Sequence, residues 1–281
     1  MSTRQDHFAE SHYGTLNTSK FLSLRIPLQS HHLELILYQA YANLRAEAER
    51  TYIGVLWWIF DPIIFMSIFY IVFALLLRQK TDNFVAFLLV GLVIWRWFQN
   101  TVTNGSNAIL NGQSLMRQVY LPKLIFPLVT ILSDLFKFTL VFTLLVIYLW
   151  ASGHSIGLPY LTLPFLLFVQ FLLIMGTTCV TASLVPLLPD LRYLIGHLLQ
   201  LMFYVSGIFY SGESIPEKYR AYFYLNPAAN LIESYRDILL NNRWPDLRAM
   251  LIITLLALFL ILIGYKLVTT FDHEYPKMVA R

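Results

Sequence analysis

Long apolar runs dominate this 281-residue chain and leave few folds open to it. A helix that crosses a bilayer needs about 20 mostly apolar residues at ~1.5 Å each. Six stretches reach or approach that length: 53–77, 84–107, 124–150, 159–188, 193–211 and 248–271. Composition agrees, with 57% hydrophobic and 13% charged residues, about half the charge of an ordinary soluble domain. The expected fold class is all-α, a polytopic membrane protein with six transmembrane helices over residues 51–271. An even number puts both ends on one side. Flanking cations are nearly balanced between the two sides, so the positive-inside rule does not choose. The ends are expected to be cytoplasmic because nothing near the N-terminus is built for translocation.

Residues 1–30 carry charges and no apolar stretch, which predicts a loose N-terminal tail without a cleavable signal. Residues 31–50, HHLELILYQAYANLRAEAER, predict an amphipathic helix lying along the membrane interface. Its apolar face would be Leu33, Leu37, Ala40, Tyr41 and Leu44, and its polar face would hold Glu34, Arg45, Glu47, Glu49 and Arg50. Residues 272–281 read as a second, short tail. Between the last two spans, YLNPAANLIESYRDILL (224–240) has Asn226 as a natural N-cap and Pro227 at the first helical position. Ala228, Leu231, Ile232, Tyr235 and Leu239 share one face, while Glu233, Arg236 and Asp237 are expected to pair on the other.

Motifs for independent chemistry are missing. There is no GxxxxGK[ST] phosphate loop, no HExxH, no GxSxG and no Cys/His set with metal spacing. The single cysteine, Cys179, allows no internal disulfide. An enzyme acting alone is disfavoured. What stands out is polarity inside the spans. Asp61, Arg96, Asp134 and Lys137 fall at a similar depth, two acids and two bases. A lone charge in hydrocarbon costs at least ~2.5 kcal/mol, so pairs are expected: Asp134 with Lys137 at i, i+3, and Asp61 with Arg96 between the first two spans. A proton relay in an ion-coupled carrier is the alternative use of these charges.

In the fifth run Tyr193, His197, Gln200, Tyr204, Gly207 and Ser211 recur at helical spacing and form a polar-aromatic stripe on an otherwise apolar helix. In the first, Trp58, Phe65, Phe69 and Phe73 make an aromatic face. Flat rings stack on the C–H faces of sugars, and Tyr, Gln and His supply hydrogen bonds, so a conduit for a polyhydroxylated chain would use both. Helix packing and interfacial belts also use such residues.

Three segments carry a family resemblance: TYIGVLWWIFDP (51–62), NGQSLMRQVYLPKLIFP (111–127) and SGIFYSGESIPEKYRAYFYLNPAANLIESYRDILL (206–240). With them, residues 31–271 resemble the transmembrane (permease) subunit of type-2 ABC exporters, in the branch that exports bacterial O-antigens, capsules and teichoic acids. Arg96 departs from the family pattern. The resemblance implies a homodimer in the bacterial cytoplasmic (inner) membrane that moves a lipid-linked polysaccharide through a pore between the copies. ATP and Mg would be bound by two copies of a separate ATPase, with no cofactor on this chain. Residues 111–123 would be the coupling helix, presenting Leu115, Met116, Arg117, Val119 and Tyr120 to that ATPase, and 31–50 the interface helix. Residues 216–240 would form two re-entrant gate helices, with Asn226, Pro227, Glu233 and Arg236 at the gate. An exporter of small amphiphiles or drugs would share the spans without needing a continuous polar conduit.

Overall fold

The computed structural model describes residues 28–50, 52–72, 84–118 and 121–275, and these form helices, turns and loops with no strand among them. Eleven α-helices follow in order: α1 (Leu28–Glu49), α2 (Trp57–Tyr70), α3 (Phe84–Ser106), α4 (Ala108–Asn111), α5 (Gln113–Met116), α6 (Ile125–Ala151), α7 (Leu163–Leu184), α8 (Leu191–Val205), α9 (Glu217–Phe223), α10 (Pro227–Leu239) and α11 (Leu247–Phe271). Among the described residues, four segments are long and apolar enough to cross a membrane: Phe84–Ser106, Ile125–Ala151, Leu158–Leu184 and Leu247–Phe271. They are the second, third, fourth and sixth of the runs read from the sequence. The third adds a 3-10 turn, Leu158–Thr162, ahead of α7.

The fifth run differs from expectation: α8 has 15 residues, about 22 Å of helix, short of a ~30 Å hydrocarbon core. In the first run α2 has 14 residues and passes into a π turn at 71–72, and residues 73–83 lie outside the described residues. At the other site α8 stops where Gly207 turns to φ +71°, a conformation open to glycine. Ser206 helps end it by bonding back to the Met202 carbonyl and accepting from Asn226.

Helix α3 is the buried axis. Some 67% of its most apolar window is inside the protein, against 28% for α6 and 22% for α11. Trp97 stacks on Phe138 of α6 with ring centroids 3.9 Å apart, and Gln170 of α7 donates to the Ile94 carbonyl at 3.0 Å. Helices α7 and α11 pack closely through small residues, as lipid-embedded helices do. A Cβ on Gly176 would meet the Ala257 carbonyl at 2.8 Å, and one on Gly264 would meet the Cys179 Cβ at 2.7 Å.

Both flanking segments pack on the bundle. Helix α1 is amphipathic, but Ile36 and Ala40 pack it on Ile125 and Val129 of α6, while Leu33, Leu37 and Tyr41 are exposed. From Ala40 beside Ser133 to Glu47 beside Lys137, α1 runs alongside α6 in the same direction. The tail expected from 272 begins as packed structure. Asp272 accepts from the Lys123 N–H at 3.0 Å, and the hydroxyl of buried Tyr275 donates to the Ser183 carbonyl at 3.1 Å. Of that tail, 276–281 lie outside the described residues, as do 1–27 of the N-terminal one.

Replacing Gly264 with Leu should overpack the α7–α11 contact and cost about 1–3 kcal/mol, read as a lower Tm in detergent. Gly196→Ala is the control, because a Cβ there meets nothing within 4 Å and its Tm should not fall.

Candidate functional site

Where α1 ends, a chain of polar contacts crosses four helices. Glu47 of α1 accepts from Lys137 of α6 at 2.6 Å and from the Trp58 indole of α2 at 3.2 Å. Lys137 lies 3.4 Å from Asp134 one turn away, the i, i+3 pairing expected from the sequence. Asp134, only 6% exposed, accepts from Asn104 of α3 at 3.0 Å. Each charge thus finds an opposite charge or a donor, as low-dielectric surroundings require. The sequence reading put Glu47 on the polar face of α1 and passed over Asn104. Spacing within one helix reveals Asp134 and Lys137, but contacts with α1 and α3 depend on how those helices pack.

These side chains wall a cavity of about 520 Å³ together with Trp57, Arg96, Trp97, Asn100, Thr101 and Phe138. Arg96 therefore shares a chamber with the Asp134–Lys137 pair. The side chain of Asp61 lies outside the described residues, and with it the expected Asp61–Arg96 pair. Trp58, expected on an aromatic conduit face, lines this chamber. Its indole is held by Glu47, its ring meets Phe136 edge-on at 6.2 Å, and the Lys137 ammonium stands 5.7 Å from its centroid. The side chains of Phe65 and Phe69, and all of Phe73, lie outside the described residues.

On α8 the stripe is a surface feature of the single chain. Tyr193 and Tyr204 are 61% and 57% exposed, and His197 and Gln200 are exposed between them. Leu199, on a different side of the helix, is the buried residue of α8. Ser211 does not continue the stripe: the helix ends six residues earlier, and the Ser211 hydroxyl meets that of Ser214 at 3.1 Å.

Helices α9 and α10 match the expected 216–224 and 227–240 closely. Asn226 caps α10 by accepting from the Ala228 N–H at 3.0 Å, with Pro227 following. The expected charged outer face is corrected. Arg236 is only 3% exposed and points into the bundle, donating to the carbonyls of Phe87 at 3.2 Å, Gly207 at 2.7 Å and Ile208 at 2.8 Å. Its guanidinium carbon also lies 3.3 Å from the Phe87 ring centroid, a cation–π contact. The Gly207 and Ile208 carbonyls lie past the end of α8 with no helical donor, and this planar fork of N–H groups supplies one to each, with the Phe87 carbonyl as a third acceptor. Glu233 accepts from the Gly212 N–H and from the Tyr224 hydroxyl at 2.7 Å. Burial, then the Glu233 carboxylate, pushes the Tyr224 phenol well above its ordinary range, so it stays a donor.

Of the segment expected as one coupling helix, 111–123, the described part holds the last residue of α4 and the single turn α5, and the two meet at Gly112. The ring of Phe126 fills the place of a Cβ there. Leu115 and Met116 are partly buried against a cluster containing Ala108, Ile109, Phe126 and Tyr275, so they form no free apolar knob, whereas Arg117 is exposed. Val119 and Tyr120 lie outside the described residues.

Residues 38–240, from within α1 through α10, match the ABC-2 type transporter family. The chain belongs to that family. Among the relatives of this ABC-2 type transporter is an O-antigen export system permease protein of Klebsiella pneumoniae, 26% identical over 210 residues, covering 74% of this chain and 81% of the relative. One of the same description from Myxococcus xanthus is 24% identical over 247 residues, covering 87% and 95%. A polysialic acid transport protein of Escherichia coli is 24% identical over 234 residues, covering 80% and 89%. The family resemblance read from the three sequence segments holds.

Lys137→Met in this ABC-2 transporter leaves Asp134 buried without its cation and should cost roughly 3 kcal/mol. Adding Asp134→Asn should recover part of the loss. A double-mutant cycle on thermal unfolding measures this, and strict additivity would mean that the pair is not coupled.

Proposed function

We propose that two copies of this chain form the membrane part of an ATP-driven exporter that carries a lipid-linked polysaccharide outward across the bacterial cytoplasmic membrane. Support comes from relatives named for O-antigen export and polysialic acid transport, matched over most of both lengths. The observation that carries the reading is the exposed Tyr193–His197–Gln200–Tyr204 stripe. Such a stripe is costly against acyl chains. A second copy facing it turns the stripe inward, as one wall of a wet passage where rings stack on sugars and amide, imidazole and phenol groups bond hydroxyls.

On this reading α2 and α8, each extended by its neighbouring residues, complete six crossings with both ends cytoplasmic. Helices α9 and α10 re-enter from the outer side, where non-spanning backbone is tolerated against protein or a watery cavity. Arg236 anchors the second of them, while Asn226 and Pro227 start it. A separate ATPase docks against α4–α5 and α1. The Glu47 node then links α1 to α2, α3 and α6, so a push on α1 reaches the helices beside the passage. Hydrolysis belongs to that partner, and this chain contributes the path.

Reconstituted with its ATPase in vesicles, the complex should hydrolyse ATP several times faster when lipid-linked glycan is added. Tyr204→Ala with Gln200→Ala should lower glycan export by tenfold or more. Equal stimulation by small amphiphilic drugs, with export of glycan unaltered in the double variant, would sink the reading in favour of a drug exporter.

A further inference from the structure

Two cavities lie end to end between α2, α3 and α6. One is the charged chamber of about 520 Å³. The other, about 400 Å³, has a mostly apolar wall that includes Ile59, Ile63, Ser67, Leu89, Leu144 and Tyr148. They share Val93 and Val141, which form the neck between them. All three helices run through the two chambers in a consistent order. On α2 the polar end is Trp57–Trp58 and the apolar end Ile59–Ser67. On α6 it passes from Asp134 to Tyr148, and on antiparallel α3 from Asn104 to Val85. The result is one lengthwise slot, charged at one end and greasy at the other. It reaches the outside of the bundle beside Trp57, Ile63 and Tyr148, each about two-fifths exposed.

We propose that this slot holds one membrane glycerophospholipid with a zwitterionic headgroup, seated inside a single protomer. Its acyl chain fills the apolar chamber, and its headgroup fills the charged one. Each cavity falls within the ~300–1,000 Å³ typical of small-molecule sites. Among the described lining residues the chamber balances two cations, Arg96 and Lys137, against two carboxylates, Glu47 and Asp134, so a headgroup of no net charge keeps that balance and its ammonium can also meet the Trp57 indole. A purely anionic headgroup would meet two carboxylates with no cation of its own to offer them. The lipid would wedge α2 apart from α3 and α6, so that α2 packs on the bundle partly through an exchangeable molecule. The inference rests on α3 and α6 lying in a bilayer and is independent of what the protein exports.

The test uses the full chain, purified and incubated with vesicles of equal parts phosphatidylethanolamine and phosphatidylglycerol, with retained lipid identified by native mass spectrometry. Wild type should keep one phosphatidylethanolamine per chain. Val93→Phe with Val141→Phe, which blocks the neck, should lose most of it, and Leu255→Phe on the exposed side of α11 should keep it. Retention unchanged in the blocked variant, or phosphatidylglycerol or a lipid-linked glycan kept in preference, would overturn the proposal. A second measurement does not depend on the blocked variant folding. Ser67→Cys is a small change in the apolar chamber, and native Cys179 is buried and silent. An apolar maleimide should label S67C severalfold more slowly in phosphatidylethanolamine than in phosphatidylglycerol vesicles, with no such difference for Leu255→Cys. Equal rates at S67C would overturn the proposal as well.

Discussion

One guanidinium sets the arrangement of the bundle's far end. Arg236 joins the start of α3, the chain just after α8 and the middle of α10 through three carbonyls and the ring of Phe87. Backbone carbonyls buried away from water have to find their donors within the protein. Several features follow from that demand. The chain leaves helical geometry at Ser206–Gly207 and still keeps its carbonyls satisfied. Gly91 stands where a Cβ would approach the arginine to 2.7 Å. Helix α10 lies with a charged residue turned inward, its carboxylate neighbour Glu233 holding the 212–224 loop.

A second polar system lies toward the other end of α3. Asn104, Asp134, Lys137, Glu47 and Trp58 tie α3, α6, α1 and α2 together. Phe87 and Asn104 are 17 residues apart, about 26 Å along one helix. Helix α3 is therefore a stiff, largely buried rod with a polar clamp near each end. Movement of α1 cannot be absorbed locally without breaking contacts to charged groups, each worth more than an ordinary hydrogen bond. In the proposed exporter such a rod would carry displacement from the ATPase side to the helices beside the passage.

Much of the candidate site was legible in residue spacing alone, and its errors have one origin. Asn226 and Pro227 marked the start of α10 because a cap and a proline act within four residues. Asp134 and Lys137 paired as expected because i, i+3 neighbours meet on any helix. The reading that turned Arg236 outward treated α10 as an isolated amphipathic helix and could not foresee the Gly207 and Ile208 carbonyls that the turn after α8 brings to it. The same limit explains α1, whose packed face is Ile36 and Ala40 and not the wider stripe through Leu33 and Tyr41. It also explains residues 108–116, which break into two turns at Gly112 beside Phe126.

The sequence by itself determined that the chain is helical and lives in a bilayer, where most long helices begin and end, and which family it belongs to. These properties follow from local chemistry: apolar length, caps, turn residues and short motifs. Only the tertiary structure decided which way Arg236 points, where α8 stops, that Glu47 and Asn104 join the Asp134–Lys137 pair, and that a two-ended slot opens between α2, α3 and α6. Each of those depends on groups brought together from distant parts of the chain. A buried charge takes whichever partners packing delivers, and no spacing within one helix encodes them.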